Sequence, residues 1–169
     1  LLLDTTVAST ASINFWNNTS PTSSVFSVGA GGTTNNSGNT MIAYCFAPIA
    51  GYSAFGTWTN NNSTSGTFTY LGFRPRCIIL KNSDNVESWY IWDSTRQPYN
   101  VAAPAGAVWL SPNSSSAENN TNTSTATIDL LSNGFKIYTT NPASGEVSFG
   151  TRSYIYAAFA ENPFKYSRA

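Results

Sequence analysis

The chain has 169 residues, of which 41% are apolar and 14% aromatic, while only 9% are charged, with eight basic and eight acidic side chains. This neutral balance argues against nucleic-acid binding, which needs a cationic surface, and the absence of histidine removes the commonest residue of zinc sites and of Ser-His-Asp or Cys-His catalysis. No apolar run approaches the ~20 residues of a membrane span, so we expect no membrane-spanning segment. We also expect no bound metal and no cofactor.

Residues 1–16 show an alternating pattern that predicts an extended N-terminal β arm. Six of the eight odd positions are apolar, against three of the eight even positions, and a period of two is typical of a strand with one buried face. Because a lone strand cannot bury that face, we expect the arm to insert into a neighbouring copy of the chain. Docking on its own domain and a disordered end are the alternatives. The expected assembly residues are Leu1, Leu3, Val7, Ala11, Ile13 and Phe15.

Eight further strand-sized apolar runs follow, separated by polar loops at residues 29–39, 60–66 and 111–125. Such spacing predicts an all-β fold, an antiparallel β-sandwich or jelly roll, over residues 25–169, with residues 1–24 forming the arm and a linker. The predicted strands are Val25–Val28, Met41–Ala47, Thr67–Gly72, Cys77–Lys81, Trp89–Asp93, Thr127–Leu131, Gly134–Tyr138 and Tyr154–Ala160.

The sequence contains a weak internal repeat. Met41–Pro48 (MIAYCFAP) matches Tyr154–Glu161 (YIYAAFAE) in pattern, and a Tyr-Ser pair follows each segment at a similar distance. Upstream, Val25–Val28 corresponds loosely to Gly134–Ile137. The chain therefore reads as the closing strands of one unit followed by a complete unit, a pattern expected of units strung end to end.

Five motifs carry a resemblance to a known kind of domain: Gly51–Gly56 (GYSAFG), Tyr70–Pro75 (YLGFRP), Trp89–Asp93 (WYIWD), Leu131–Lys136 (LSNGFK) and Tyr154–Pro163 (YIYAAFAENP). In this order they resemble an uncharacterised β-domain that occurs, often in tandem, in tail-fibre-like proteins of marine and freshwater phages. The resemblance covers about residues 25–167 and leaves residues 1–24 unexplained. It implies an extracellular or virion-surface fibre domain, and it brings no established active site.

Eight Asn-X-Ser/Thr sequons lie in the predicted loops. Covalent glycans would solubilise a surface that has little charge, although sequons arise easily by chance in a chain so rich in Asn, Ser and Thr, and bare polar loops are the alternative. The candidate glycosylation sites are Asn17, Asn18, Asn35, Asn61, Asn62, Asn113, Asn119 and Asn122.

A group of aromatic residues offers a candidate carbohydrate-binding surface formed by Trp89, Tyr90, Trp92 and Tyr99. Alternation sends Trp89 and Tyr90 to opposite faces of a strand, and packing in a sandwich core is the competing interpretation. Nearby, Asp93 and Arg96 are expected to form a local ion pair that fixes a turn. The sequence leaves open whether the two cysteines, at positions 45 and 77, are paired.

These observations together favour a non-enzymatic structural subunit of an extracellular fibre or helical filament. The expected partners are copies of the same chain, joined head to tail, and possible covalent glycans. The alternative is a phage tail-fibre receptor-binding domain that recognises cell-surface carbohydrate. Polysaccharide hydrolysis would need two carboxylates across a cleft, and none of the acidic residues stands in a recognisable motif.

Overall fold

The computed structural model describes residues 1–61, 63–100, 108–118, 126–139 and 151–163. Within these ranges the chain forms seven strands and two single helical turns. Their bounds are α1 Ile13–Trp16, α2 Gly32–Asn35, β1 Ser53–Thr59, β2 Thr67–Tyr70, β3 Pro75–Asn82, β4 Trp89–Asp93, β5 Ala126–Leu131, β6 Gly134–Thr139 and β7 Ser153–Ala160.

The strands make two antiparallel sheets, one with the order β1-β7-β3-β4 and the other with the order β2-β6-β5. This confirms the predicted all-β sandwich architecture, while a jelly-roll topology stays a prediction. The chain divides into two compact units. Residues 1–8 and the chain from residue 47 onward form the sandwich unit, and residues 9–46 form a second, smaller unit.

Alternate side chains of the two sheets build the core of the sandwich unit. In β3, Ile78 and Leu80 are fully buried, and they lie opposite Ala158 and Tyr156 of β7. Burying a large aliphatic or aromatic side chain contributes about 1.5–3 kcal/mol, so each of these buried side chains stabilises the unit appreciably. Among the described residues, the buried hydrophobic core contains Trp58, Phe73, Ile78, Leu80, Tyr90, Trp92, Trp109, Ile128, Leu130, Phe135, Ile137, Tyr154 and Ala158.

Local contacts cover parts of the backbone edges of the outer strands β4 and β5. Leu110 pairs with Ile91 alongside β4. Next to β5, the Gln97 side-chain amide donates to the Ile128 carbonyl at 3.3 Å, and the Leu130 amide donates to Asn100 Oδ1 at 2.9 Å. Unpaired strand edges invite uncontrolled association, so these contacts protect two edges of the sandwich.

The structure corrects the predicted strand over residues 1–16, which contain no strand. The Asn14 amide donates to Ser12 Oγ at 3.3 Å, which caps the helical turn α1 at its start. Asn17 ends the turn in the left-handed conformation, with a φ of 51°. These local caps favour a helical turn where alternation alone predicts a strand.

Two other predicted strands are also absent, and one strand was missed. Val25–Val28 and Met41–Ala47 lie in no sheet. The missed strand is β1 (SAFGTWT), in which small residues interrupt the apolar alternation. The remaining six predicted strands correspond to β2–β7 within a few residues. Cys45 and Cys77 are both free thiols.

Candidate functional site

The predicted assembly residues belong to two different compact units. Leu1, Leu3 and Val7 belong to the sandwich unit and have exposed side chains. Ala11, Ile13 and Phe15 belong to the second unit, where the first two are exposed and Phe15 is half-buried. The six residues are therefore divided between two units of the isolated chain.

The first six residues contact the sandwich through their backbone. The Thr6 carbonyl accepts hydrogen bonds from the Glu87 amide at 2.8 Å and from Lys81 Nζ at 3.3 Å. The Leu2 carbonyl accepts a bond from the Trp89 indole nitrogen at 2.9 Å. These contacts match the alternative in which the N-terminal segment docks on its own domain, and they leave the three leading leucine side chains exposed.

Beside this segment lies a network of polar side chains centred on Glu87. The Asn82 amide donates to the Glu87 carboxylate at 2.6 Å, and the hydroxyls of Tyr90 and Tyr154 donate to it at 3.2 Å and 3.4 Å. A fourth group, the Arg152 guanidinium, lies 3.7 Å away. Because β3, β4 and β7 each contribute a residue, the network ties three strands of the larger sheet together.

Burial shifts the protonation equilibria of this network. It raises the pKa of the Glu87 carboxyl, although hydrogen bonds from Asn82, Tyr90 and Tyr154 and the charge of Arg152 act in the opposite direction. Burial also raises the pKa of Tyr154 and lowers the pKa of Lys81. The fully buried Lys81 amine donates to the Asn82 carbonyl at 2.7 Å. Both oxygens of the Glu87 carboxylate accept hydrogen bonds from the protein, so this buried polar group is satisfied within the network.

The second unit carries a high density of exposed apolar side chains. Its two chain regions meet where the Gly29 and Gly31 amides donate to the carbonyls of Phe15 and Asn14, each at 2.8 Å. A side chain at Gly29 would collide with the backbone of α1, so this close approach requires glycine. The large apolar residues that stay exposed are Ile13, Trp16, Val25, Phe26, Val28, Met41, Ile42, Tyr44 and Phe46.

The structure separates the four aromatic residues of the predicted carbohydrate surface. Tyr90 and Trp92 stack in the core at 5.5 Å and are only 4% and 1% exposed, so they cannot take part in a sugar-binding surface. Trp89 is half-buried against the N-terminal segment, and Tyr99 is exposed on a loop. Sequence reasoning missed the exposed aromatics Phe68 and Tyr70 of β2, which alternation places on the outward face.

The sequon asparagines that the structure describes are mostly on the surface. Asn17, Asn18, Asn35 and Asn61 are exposed. Asn113 is half-buried. Its Oδ1 accepts a hydrogen bond from the Trp89 amide at 2.8 Å, and its Nδ2, the atom that would carry a glycan, lies 3.5 Å from Ser88 Oγ. The other three candidates, Asn62, Asn119 and Asn122, lie outside the described residues.

The predicted turn at the end of β4 is present. The Asp93 carboxylate pairs with the Arg96 guanidinium and also accepts the Thr95 and Arg96 amides at 3.0 Å and 2.9 Å. A second carboxylate, from Glu118, lies 2.7 Å from Arg96 Nε. This ion-paired turn fixes the chain where it leaves the sheet.

Across the described ranges, no helix is long and apolar enough to cross a membrane, and no group of three or more His, Cys, Asp or Glu side chains is placed to hold a metal ion.

Comparison with known proteins gives one family. No curated protein and no solved structure shows significant similarity to the chain. A family match does extend over residues 1–163 and so includes both compact units. The chain therefore belongs to the family described as a domain of unknown function, DUF7483.

Proposed function

We propose that this chain is a non-enzymatic structural subunit of an extracellular fibre or helical filament, and that its N-terminal region joins it to neighbouring units. The observation that carries the proposal is the run of exposed apolar side chains in residues 9–46. Exposed apolar surface of this density is characteristic of interaction sites. The proposal agrees with the resemblance to phage tail-fibre-like domains, which are often arranged in tandem.

Two further properties support an assembly role. The chain has only eight basic and eight acidic residues, so closely packed copies would repel one another little. The sandwich unit covers parts of the edges of β4 and β5 with local contacts, which disfavours association through these two strands. A head-to-tail contact of this kind propagates into a filament when the ring does not close.

Electron microscopy of the purified full chain, with intact mass measured on the same sample, tests the proposal. We expect filaments from the wild-type chain and their loss on Ile13→Asp or Ile42→Asp, while circular dichroism still reports a folded sandwich. Val86→Asp is the matched control. The Val86 side chain is 73% exposed, close to the 78% of Ile42, but Val86 lies on a loop of the sandwich unit. Monomers from the wild-type chain, or filaments from both isoleucine variants, would contradict the proposal.

A second candidate function is carbohydrate recognition by a tail-fibre receptor-binding domain. It is favoured by Phe68 and Tyr70, which are exposed on β2, where Lys136 and Gly134 lie opposite them on β6. Exposed aromatic faces stack on sugar rings, and a neighbouring charged group can bind hydroxyls. Glycan-array binding that is lost on Tyr70→Ala and kept on Tyr44→Ala would support this function; equal loss from both variants would count against it.

A further inference from the structure

Residues 10–18 repeat the sequence of β5 and the turn that follows it. Thr10–Asn18 (TASINFWNN) aligns without gaps with Thr125–Asn133 (TATIDLLSN). Four of the nine positions are identical, and the other five pair residues of similar polarity, such as Asn14 with Asp129. This extends the internal repeat upstream by one strand.

The repeat therefore covers three strands in their order along the chain. After the β5-like segment, Val25–Val28 corresponds to the first part of β6, and Met41–Ala47 corresponds to β7. The connection from Met41–Ala47 to β1 is short, since only Pro48–Tyr52 lies between them. Residues 10–47 thus read as β5, β6 and β7 of a second sandwich joined directly to the first.

The correspondence includes apolar residues at the positions that face the core of the sandwich. In the sandwich, the inward positions of these three strands are Ile128, Leu130, Phe135, Ile137, Tyr154 and Ala158, each at most 2% exposed. Their counterparts are Ile13, Phe15, Phe26, Val28, Met41 and Cys45, and all of these are apolar.

The counterparts do not have the burial that their sequence suits. Ile13 is 59% exposed, whereas Ile128 is 1% exposed, and Phe26 is 44% exposed, whereas Phe135 is fully buried. A set of core residues left on the surface marks a core that another chain segment completes.

Sheet topology explains why residues 10–47 cannot complete that core alone. In the sandwich β7 lies between β1 and β3, in the sheet opposite to the one that holds β5 and β6, and β6 also pairs with β2. The three strands therefore depend on partners that the segment does not contain. In the sandwich β5 pairs with β6, and β6 and β7 pair with other strands. Within residues 10–47 the contact that corresponds to one of these pairings is the one between the β5-like and β6-like segments, where the Gly29 and Gly31 amides donate to carbonyls of α1.

We infer that residues 10–47 supply β5, β6 and β7 of a further sandwich, whose β1–β4 strands come from another unit of this family. The inference rests on the proposed function, because it names the surface through which units of the fibre join. Met41–Ala47 lies between β1 and β3 of that unit, with Phe46 opposite Cys77, the position that Phe159 occupies in the complete sandwich. The helical turn α1 gives way to a strand when the partner strands are present.

A fusion protein tests this directly. A second copy of residues 47–115, which contains β1–β4, is placed immediately before Leu1 of the full chain. Ten residues then separate the grafted Ser115 from Ala11, the same number that separates Ser115 from Ala126. We expect hydrogen exchange of the amides in residues 13–16 and 42–46 to slow by at least about 100-fold relative to the unfused chain.

Two adjacent substitutions in the fusion provide a matched pair. Ile13→Asp places a charge at the core position that Ile128 occupies in the complete sandwich, so we expect residues 42–46 to return to fast exchange. Asn14→Asp should keep the protection, because β5 already has Asp129 at that position. Protection that survives Ile13→Asp would overturn the inference.

A disulfide reports the register of the inserted strand. The background for this test is the fusion in which Cys45→Ala and, in the original sandwich, Cys77→Ser leave the grafted Cys77 as the remaining cysteine. On this background, Phe46→Cys should form a disulfide with the grafted Cys77, since residues directly opposite across a sheet are close enough to bond. Tyr44→Cys takes the position opposite Ile79 and should remain a free thiol. Equal disulfide yields from both variants would contradict the register.

A second fusion guards against an unsuitable connection, with a Gly/Ser linker in place of residues 1–10. Fast exchange of residues 42–46 in both fusions would overturn the inference. The outcomes stay separate from those of the fibre proposal. Filaments of the wild-type chain together with unprotected fusions would leave the fibre role and remove this inference, whereas protected fusions without filaments would do the reverse.

Discussion

Removing the Glu87 side chain should destabilise the sandwich markedly. Glu87→Ala deprives the buried Asn82 amide of its acceptor at 2.6 Å, and a buried polar group left without a partner costs about 1–3 kcal/mol. The hydroxyls of Tyr90 and Tyr154 lose an acceptor as well, at about 1 kcal/mol each. The sum is about 4 kcal/mol, which for a chain of this length lowers Tm by about 10 °C.

Thermal and urea unfolding of the two purified proteins measure this loss. The control is Glu118→Ala, because Glu118 is also acidic and ion-paired but is exposed, and exposed pairs contribute only about 0–1 kcal/mol. If Glu87→Ala costs no more than Glu118→Ala, the Glu87 network does not tie the strands together as we argue.

Three further predictions follow from the geometry of the sandwich. Because the pKa of Glu87 is raised, the folded chain binds the Glu87 proton more tightly than the unfolded chain does. The stability that Glu87 contributes is therefore largest below the ordinary pKa of glutamate and is lost as the pH rises past that value. Glu87→Gln should flatten this loss of unfolding free energy in urea titrations between about pH 4 and 7. Deleting residues 1–6 removes the Thr6 carbonyl from Lys81, so acetylation followed by mass spectrometry should label Lys81 only in the truncated chain. Gly134→Ala should lower the unfolding free energy by at least about 2 kcal/mol in urea unfolding, because the new methyl group overlaps the Thr69 carbonyl of β2. Gly32→Ala is the control, since Gly32 has open space around it, and should change the unfolding free energy by less than about 0.5 kcal/mol. Equal effects of the two substitutions would contradict this prediction.

Local sequence was sufficient for most of the sandwich. Trp89–Asp93 was predicted with the bounds that the structure has, because four consecutive aromatic and aliphatic residues, followed by Asp93, lie between polar turns. The ion pair between Asp93 and Arg96 was predicted for the same reason, since its partners are three residues apart. β1 was missed because its inward positions hold Ala54 and Gly56, whose small size gives little apolar alternation.

The rest depended on contacts that are distant in sequence. Nothing near Lys81 indicates that its amine bonds to the backbone of Thr6, which lies 75 positions away. The run Met41–Ala47 shows the opposite limit. Its composition is typical of a strand, but the structure has no strand there, because a strand requires neighbours and local sequence does not supply them.

The central position of β7 also has a consequence for how the chain folds. β1 and β3 leave the ribosome well before β7, yet β7 is the strand that joins them. Until it arrives, the nascent larger sheet has two facing edges with unpaired backbone groups, and such long-range closure is slow. We therefore expect the newly made chain to be prone to aggregation during that interval. Synonymous codon changes that slow translation ahead of Ser153 should therefore lower the yield of folded protein without altering a single residue.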